Sequence, residues 1–68
     1  MKLSARNQLK GTVTAIKEGA VEGQVTLDVN GQQLTAVVTM DAIADLGLAV
    51  GSSAVAVIKA DSIILAVD

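Results

Sequence analysis

An alternating stretch followed by an Asn-Gly pair constrains the fold of this chain more than any other feature. Over residues 21–29, valine, leucine or glycine alternates with polar residues, which is the two-residue period of a strand with one buried and one solvated face. Asn30-Gly31 follows directly, and a tight type I′ turn needs positive φ at both central positions, which Asn and Gly tolerate best. Residues 33–38 resume the alternation. The sequence therefore predicts two antiparallel strands joined by a tight hairpin.

Three further strands are predicted on either side of this hairpin. Residues 9–18 form a β-rich run, in which Gly11 marks a bulge or a close approach of another backbone segment. Residues 53–59 and 62–67 form two more runs, joined by Ala60-Asp61, and both are apolar on their two faces. Strands that are wet on one side do not have this pattern, so we expect other subunits to cover them.

One short helix is predicted between the third and fourth strands, over residues 41–46. Met40, Ile43 and Leu46 have helical spacing, and Gly47 stands where a left-handed C-terminal residue belongs. Thr39 is the predicted N-cap. The fold class is thus all-β: a five-stranded OB-like barrel with one short helix between strands 3 and 4.

Length and composition indicate one domain, residues 1–68, that depends on association with other copies. A chain of 68 residues buries too little surface to be very stable alone. The chain has no cysteine for a disulfide and no histidine or cysteine to act as soft metal ligands, so no metal ligated by side chains is expected. Hydrophobic residues make up 51% of the sequence although aromatic residues are absent. This composition favours a homo-oligomer with apolar subunit contacts.

Charge, composition and hydropathy argue against nucleic-acid binding, membrane insertion and catalysis. The net charge is −2, and the aromatic platforms of single-strand binders are missing, so nucleic acid is not an expected partner. The apolar runs are too short for a membrane helix, and the N-terminus has no signal-peptide core, which predicts a cytoplasmic protein without membrane contact. The carboxylates are scattered and have no adjacent nucleophile and base, so the chain is not expected to be an enzyme.

The strongest candidate for a binding site precedes the first strand. The segment Ser4-Ala5-Arg6-Asn7-Gln8-Leu9-Lys10-Gly11 contains the single arginine of the chain together with a hydroxyl and two amides. The arginine fork matches the oxygens of an oxyanion, and Ser4, Asn7 and backbone N–H groups can complete a cage. The alternative is that Ser4 caps a turn and Arg6 pairs with a surface carboxylate.

The chain resembles the molbindin (Mop) family of small bacterial molybdate- and tungstate-binding proteins. The resemblance lies in this segment, in Val57-Ile58-Lys59-Ala60, and in the central Thr39-Met40-Asp41-Ala42-Ile43-Ala44-Asp45-Leu46-Gly47. The resemblance covers essentially the whole chain. It implies a Mop-type barrel and a homohexamer arranged as a trimer of dimers.

The resemblance also implies a site at a subunit boundary. Ser4, Ala5 and Arg6 are expected from one chain and Lys59 and Ala60 from its neighbour, with the Thr39 hydroxyl close to the anion. Ala42 departs from the serine that many members have at this position, so a hydroxyl contact from there is absent. Without the resemblance, the favoured interpretation of Lys59 is a solvated lysine that discourages edge pairing.

These observations together predict molybdate or tungstate binding for intracellular storage or buffering, without an organic cofactor. A single domain lacking DNA-binding and ATPase parts argues against direct regulation or transport. Two alternatives stay open, a purely structural oligomerisation domain and an OB-type nucleic-acid-binding module.

Overall fold

The chain folds into four β-strands, one α-helix and one 3₁₀ turn. A computed structural model describes residues 2–68. The strands are β1 (Asn7–Lys17), β2 (Glu22–Val29), β3 (Gln32–Thr39) and β4 (Ser53–Ile58); the helix is α1 (Met40–Leu46), and the 3₁₀ turn is Ala60–Ser62.

All four strands belong to one antiparallel sheet in the order β3-β2-β1-β4, which curls into a half-barrel. The hairpin between β2 and β3 is as predicted, because Asn30 has a φ of 50° and Gly31 a φ of 86°. Val29 pairs with Gln32 across the turn. The local turn chemistry thus sets the register of this pair.

The long strand β1 holds the sheet together, since its first half pairs with β4 and its second half with β2. Gly11 confirms the predicted close approach: a Cβ there would lie 2.7 Å from the carbonyl oxygen of Asp28. The register shift lies further along, between Val13 and Ala15. It reverses the faces of the strand, so Val13 is buried, Ala15 is exposed and Ile16 is partly buried.

The helix α1 has both predicted caps. The Thr39 hydroxyl oxygen accepts a hydrogen bond from the Ala42 N–H at 3.0 Å, and Gly47 adopts the left-handed conformation with a φ of 64°. Ile43 points from α1 into the core, where it packs closely enough that a Cβ on Gly23 would lie 2.7 Å from its Cδ1. The helix therefore closes one end of the curled sheet.

The core is small. Its buried hydrophobic residues are Val13, Val25, Leu27 and Ile43, with relative exposures between 1% and 8%. Partly buried aliphatic side chains pack around them. A core of this size buries little apolar surface.

The predicted fifth strand, residues 62–67, is not formed within the chain. Ser62 ends the 3₁₀ turn, and residues 63–68 have no assigned strand or helix. A strand exists only when an edge pairs with it, and this segment lies exposed instead of lying against the sheet. The sheet of the described chain therefore has four strands and is not a closed barrel. No helix in residues 2–68 is long and apolar enough to cross a membrane.

Candidate functional site

The pairing of β1 with β4 brings the two predicted site segments together at one end of the sheet. Asn7 pairs with Ile58, and the register continues regularly to Thr12 and Ser53. Arg6 directly precedes Asn7, and Lys59 directly follows Ile58. Opposed residues of an antiparallel pair have Cα atoms about 5 Å apart and side chains on the same face. Arg6 and Lys59 each adjoin the last pair of this register, so their backbone positions are close within one chain.

A side-chain hydrogen bond fastens the two segments to each other. The Asn7 Nδ2 donates to the carbonyl oxygen of Ile58 at 3.2 Å, in a partly buried position. The exposed Gln8 Nε2 donates to the Ala5 carbonyl oxygen at 3.5 Å, which draws the Ala5–Arg6 backbone towards β1. The Asn7 bond is the shorter and the better shielded, so Asn7 contributes more to holding Arg6 next to the end of β4.

The backbone after β4 turns sharply at the site. Lys59 is extended, with φ −66° and ψ 140°, and precedes the 3₁₀ turn. The Ser62 N–H donates to the Lys59 carbonyl oxygen at 3.0 Å, and the Ile63 N–H donates to the Ala60 carbonyl oxygen at 3.3 Å. Ala60 is the first residue of the turn, and an N–H in this position has no acceptor inside the turn. It can therefore donate to an external oxygen.

The site is open to water in the single chain. Ser4, Arg6, Lys59 and Ala60 are exposed, and Ala5 is partly buried. Two cations at this end attract an anion, but water screens charges that stay exposed. Tight binding at such a place requires a further surface that covers it.

Thr39 is not brought to this group within one chain. It pairs with Glu22 beyond the far end of β1, and the eleven-residue length of β1 separates it from Arg6. Its oxygen already accepts the capping hydrogen bond from Ala42, so its O–H is the group left to contact an anion. Such a contact requires Thr39 of another copy.

Asn7 was predicted only as a side chain that could help complete the anion cage, and its hydrogen bond to the end of β4 was not predicted. The sequence did contain a signal for a positioning role of Asn7, because a carboxamide stands next to the arginine at the start of a strand. Its acceptor, however, is a carbonyl 51 positions away. A bond of this kind is found only when the strand pairing is known.

Acidic groups do not offer a competing metal site. In the part of the chain that the structure describes, no group of three or more His, Cys, Asp or Glu side chains is placed to hold a metal ion. A shallow pocket of about 280 Å³ at the far end of β1 is lined by Lys17, Glu18 and Glu22 among others. Its mixed charges make it a poor competitor for an anion.

Comparison with known proteins places these features in a family. Residues 3–65 match the model of the TOBE domain. Molybdenum-pterin-binding protein 3 of Clostridium pasteurianum is 42% identical over 66 residues, which cover 96% of this chain and 97% of that protein.

Two solved structures have the same fold. A molybdate-binding protein from Sporomusa ovata superposes with a TM-score of 0.93 at 38% identity, over 97% of this chain and 98% of that chain. The cytoplasmic molybdate-binding protein ModG, with molybdate bound, superposes with a TM-score of 0.85 at 54% identity, over 88% of this chain and 43% of that chain. This chain therefore belongs to the TOBE-domain family and, within it, to the molbindin (Mop) proteins.

Proposed function

We propose that this chain binds molybdate or tungstate at the end of the sheet where Arg6 and Lys59 meet, and that it stores or buffers the anion in the cytoplasm. The observation that supports the proposal is the pairing of Asn7 with Ile58, because Arg6 directly precedes the first and Lys59 directly follows the second. The names of the relatives support the choice of ligand, since they describe binding of molybdate or of molybdenum-pterin.

The chemistry of the group suits a tetrahedral dianion. Arg6 and Lys59 supply two positive charges, which match the two negative charges of molybdate. The Ser4 hydroxyl and the N–H groups of Ala5 and Ala60 can replace part of the water shell that the anion loses. The two cations and the N–H groups offer donors only, so a fully ionised oxyanion fits better than one whose proton needs an acceptor.

The anion is proposed to lie between subunits, in a homohexamer built as a trimer of dimers. The open position of the site in one chain supports this arrangement. In a twofold contact, residue i of one copy meets residue j of the other, and j meets i in return. Two sheet ends that face each other can therefore offer Ser4, Ala5 and Arg6 from one copy and Lys59 and Ala60 from its neighbour. Thr39 of another copy is the sixth proposed contact.

The first test removes one cation at a time. We expect Arg6→Ala and Lys59→Ala each to lose about 2 to 5 kcal/mol of molybdate binding, because the dianion then faces a single positive charge. Titration calorimetry measures the affinity, and chromatography confirms that the variants still assemble. Lys17→Ala is the matched control, since it removes the same charge at the opposite end of β1.

A conservative substitution at Arg6 separates the effect of its positive charge from the effect of its planar shape. Arg6→Lys keeps the positive charge but loses the planar fork, so it should also weaken molybdate binding. Sulfate and phosphate at equal concentration should bind the wild type less well than molybdate. Unchanged affinity in assembled Arg6→Ala and Lys59→Ala proteins would show that these residues do not form the site.

Two outcomes would favour other functions. An assembled wild type that binds neither molybdate nor tungstate would indicate a structural oligomerisation domain. Micromolar, salt-sensitive binding of single-stranded oligonucleotides, measured by anisotropy, would indicate a nucleic-acid-binding module instead.

A further inference from the structure

The turn between β2 and β3 carries a residue pair with a reactivity of its own. Asn30 and Gly31 form the two-residue tip of this hairpin, and both are exposed. The chain contains two asparagines, and Asn30 is the one that a glycine follows. Asparagine is among the thermolabile residues of proteins, because its side-chain amide can be lost. A following glycine favours this loss, since it leaves the next main-chain nitrogen uncrowded.

Little packing holds the Asn30–Gly31 tip in place. A Cβ added to Gly31 would meet no heavy atom within 4 Å, so the space around this residue is open. The strand pairing ends at Val29 and Gln32, and the closing hydrogen bond of such a turn joins these two residues, which leaves the Gly31 N–H free. Asn30 has a φ of 50°, in the left-handed region that a non-glycine residue occupies at a cost. The tip can therefore open locally while the strands stay paired.

Asn7 provides the contrast within the same chain. It is partly buried in β1, and its Nδ2 donates to the Ile58 carbonyl oxygen at 3.2 Å. Its main chain is paired with β4, and the following residue, Gln8, carries a side chain that crowds the next nitrogen. The amide of Asn7 is thus held in place, whereas that of Asn30 stands at an exposed turn.

We propose that Asn30 is a site of spontaneous covalent modification, at which the folded chain loses ammonia and gains a carboxylate. The Gly31 nitrogen attacks Cγ of Asn30, so that the N–Cγ bond forms and the Cγ–Nδ2 bond breaks. Water carries the proton of the Gly31 N–H to the departing nitrogen, which leaves as ammonia. A second water molecule then opens the resulting five-membered ring at one of its two carbonyl carbons. No oxidation or reduction takes place.

Ring opening gives two products with different main chains. Attack of water at Cγ gives an ordinary aspartate, whereas attack at the main-chain carbonyl carbon of Asn30 routes the chain through Cβ and Cγ and gives an isoaspartate. Each product adds one negative charge to the net charge of −2. The aspartate suits the turn, since Asp-Gly also forms type I′ turns. The isoaspartate adds one carbon to the main chain of a two-residue loop, which no longer fits this turn.

The longer turn has a consequence for the core, because the turn sets the register of the hairpin. Val25 lies opposite Ala36 and Leu27 lies opposite Leu34 in this register. Val25 and Leu27 belong to the buried core of the protein. A change of register would move such side chains away from the core. We therefore expect the isoaspartate form to be less stable than the aspartate form.

Peptide mapping by mass spectrometry tests the site. The folded protein is incubated at physiological temperature and mildly alkaline pH, digested, and searched for the gain in mass that replaces an amide with a carboxyl. We expect conversion of Asn30 to be at least about tenfold faster than that of Asn7, because Asn7 must first lose a partly buried hydrogen bond and its strand pairing. Asn30→Gly is the control, since Gly-Gly keeps a favoured turn and removes the reacting amide.

A synthetic peptide of residues 27–34, incubated alongside, shows that the conditions allow the reaction in an unfolded chain. Conversion at Asn30 of the folded protein, without conversion at Asn7, supports the proposal. An unmodified Asn30 in the folded protein would overturn it, because the turn then protects the residue. Equal rates at the two asparagines would also overturn it, since the exposed turn would then not decide where the reaction occurs.

A variant of equal charge isolates the effect of the additional main-chain carbon. Anion-exchange chromatography separates the modified chain, and electron-transfer fragmentation distinguishes isoaspartate from aspartate. We expect Asn30→Asp to unfold at nearly the same urea concentration as the wild type and the isoaspartate form to unfold at a lower one. Equal urea midpoints of the two charged forms would contradict the effect on the register. Asn30 is not among the proposed anion contacts, so failure of the ligand proposal leaves these outcomes unaffected.

Discussion

Arg6 and Lys59 stand far apart in the sequence, yet the strand pairing brings their backbone positions close together. The register of β1 with β4 fixes the neighbouring pair Asn7 and Ile58. Asn7 is the residue that contributes a side-chain hydrogen bond to this end of the pairing.

We expect Asn7→Ala to lower both stability and ligand affinity. The lost bond is partly buried, so the free energy of unfolding should fall by about 1 kcal/mol. The Arg6 segment is then held less firmly near Lys59, and molybdate affinity should fall by up to about fivefold, which corresponds to the same 1 kcal/mol. Urea denaturation and calorimetry measure the two effects.

Gln8→Ala is the control for this prediction. Gln8 also carries an amide next to Arg6, but its bond to Ala5 is exposed and 3.5 Å long, so its loss should have little effect on either quantity. Equal effects of the Asn7 and Gln8 substitutions would contradict a positioning role for Asn7.

At the scale of elements, local chemistry made the hairpin and the helix ends predictable from the sequence. Asn30-Gly31 supplies the two positive φ angles that the turn needs, and Thr39 and Gly47 supply the caps of α1. Each of these features is decided by residues within a few positions of one another. The structure therefore agrees with the sequence at these points.

Features that depend on distant partners were harder to predict. Nothing at Thr14 marks the register shift of β1, since a bulge is set by how β1 must bend between β2 and β4. The fifth strand has a clear strand pattern, yet it pairs with no edge of its own chain. The Ser4–Arg6 and Lys59–Ala60 segments were identified through the family resemblance, whereas their adjacency within one chain required the pairing register.

The cap of α1 gives a test at this scale. Thr39→Ala removes the oxygen that accepts from Ala42 N–H, so it should destabilise the protein by about 1 kcal/mol in urea denaturation. Thr39→Ser keeps an acceptor and should restore most of this loss. Thr35→Ala is the control, because Thr35 lies on the same exposed face of β3 without a cap to fill.

Thr39 also distinguishes a capping role from a ligand contact. If a hydroxyl from another copy touches the anion, Thr39→Ala should reduce molybdate affinity and Thr39→Ser should preserve it. Lower stability with unchanged affinity would leave Thr39 as a cap alone. Unchanged stability of Thr39→Ala would contradict the capping contribution itself.

At the scale of the whole molecule, the proposed anion site and the proposed contact between copies share the same residues. Ser4, Ala5 and Arg6 are proposed to come from one copy and Lys59 and Ala60 from its neighbour, and all of these except Ala5 are exposed in the single chain. Shared residues give a physical reason why ligand binding and assembly should be coupled.

The effect of molybdate on subunit association distinguishes an anion held by one chain from an anion shared by two. When ligand and partner contact the same residues, each changes the affinity of the other by the same factor. If Arg6 and Lys59 of different copies hold one anion, molybdate should strengthen subunit association, by about 5- to 150-fold for a typical coupling. Sedimentation of dilute protein with and without molybdate measures this, and sulfate is the control anion. Because the register places Arg6 beside Lys59 within one chain, a complete site in a single copy is the specific alternative. Molybdate that binds but leaves the association constant unchanged would support that alternative, since an anion held by one chain adds nothing to the contact between two.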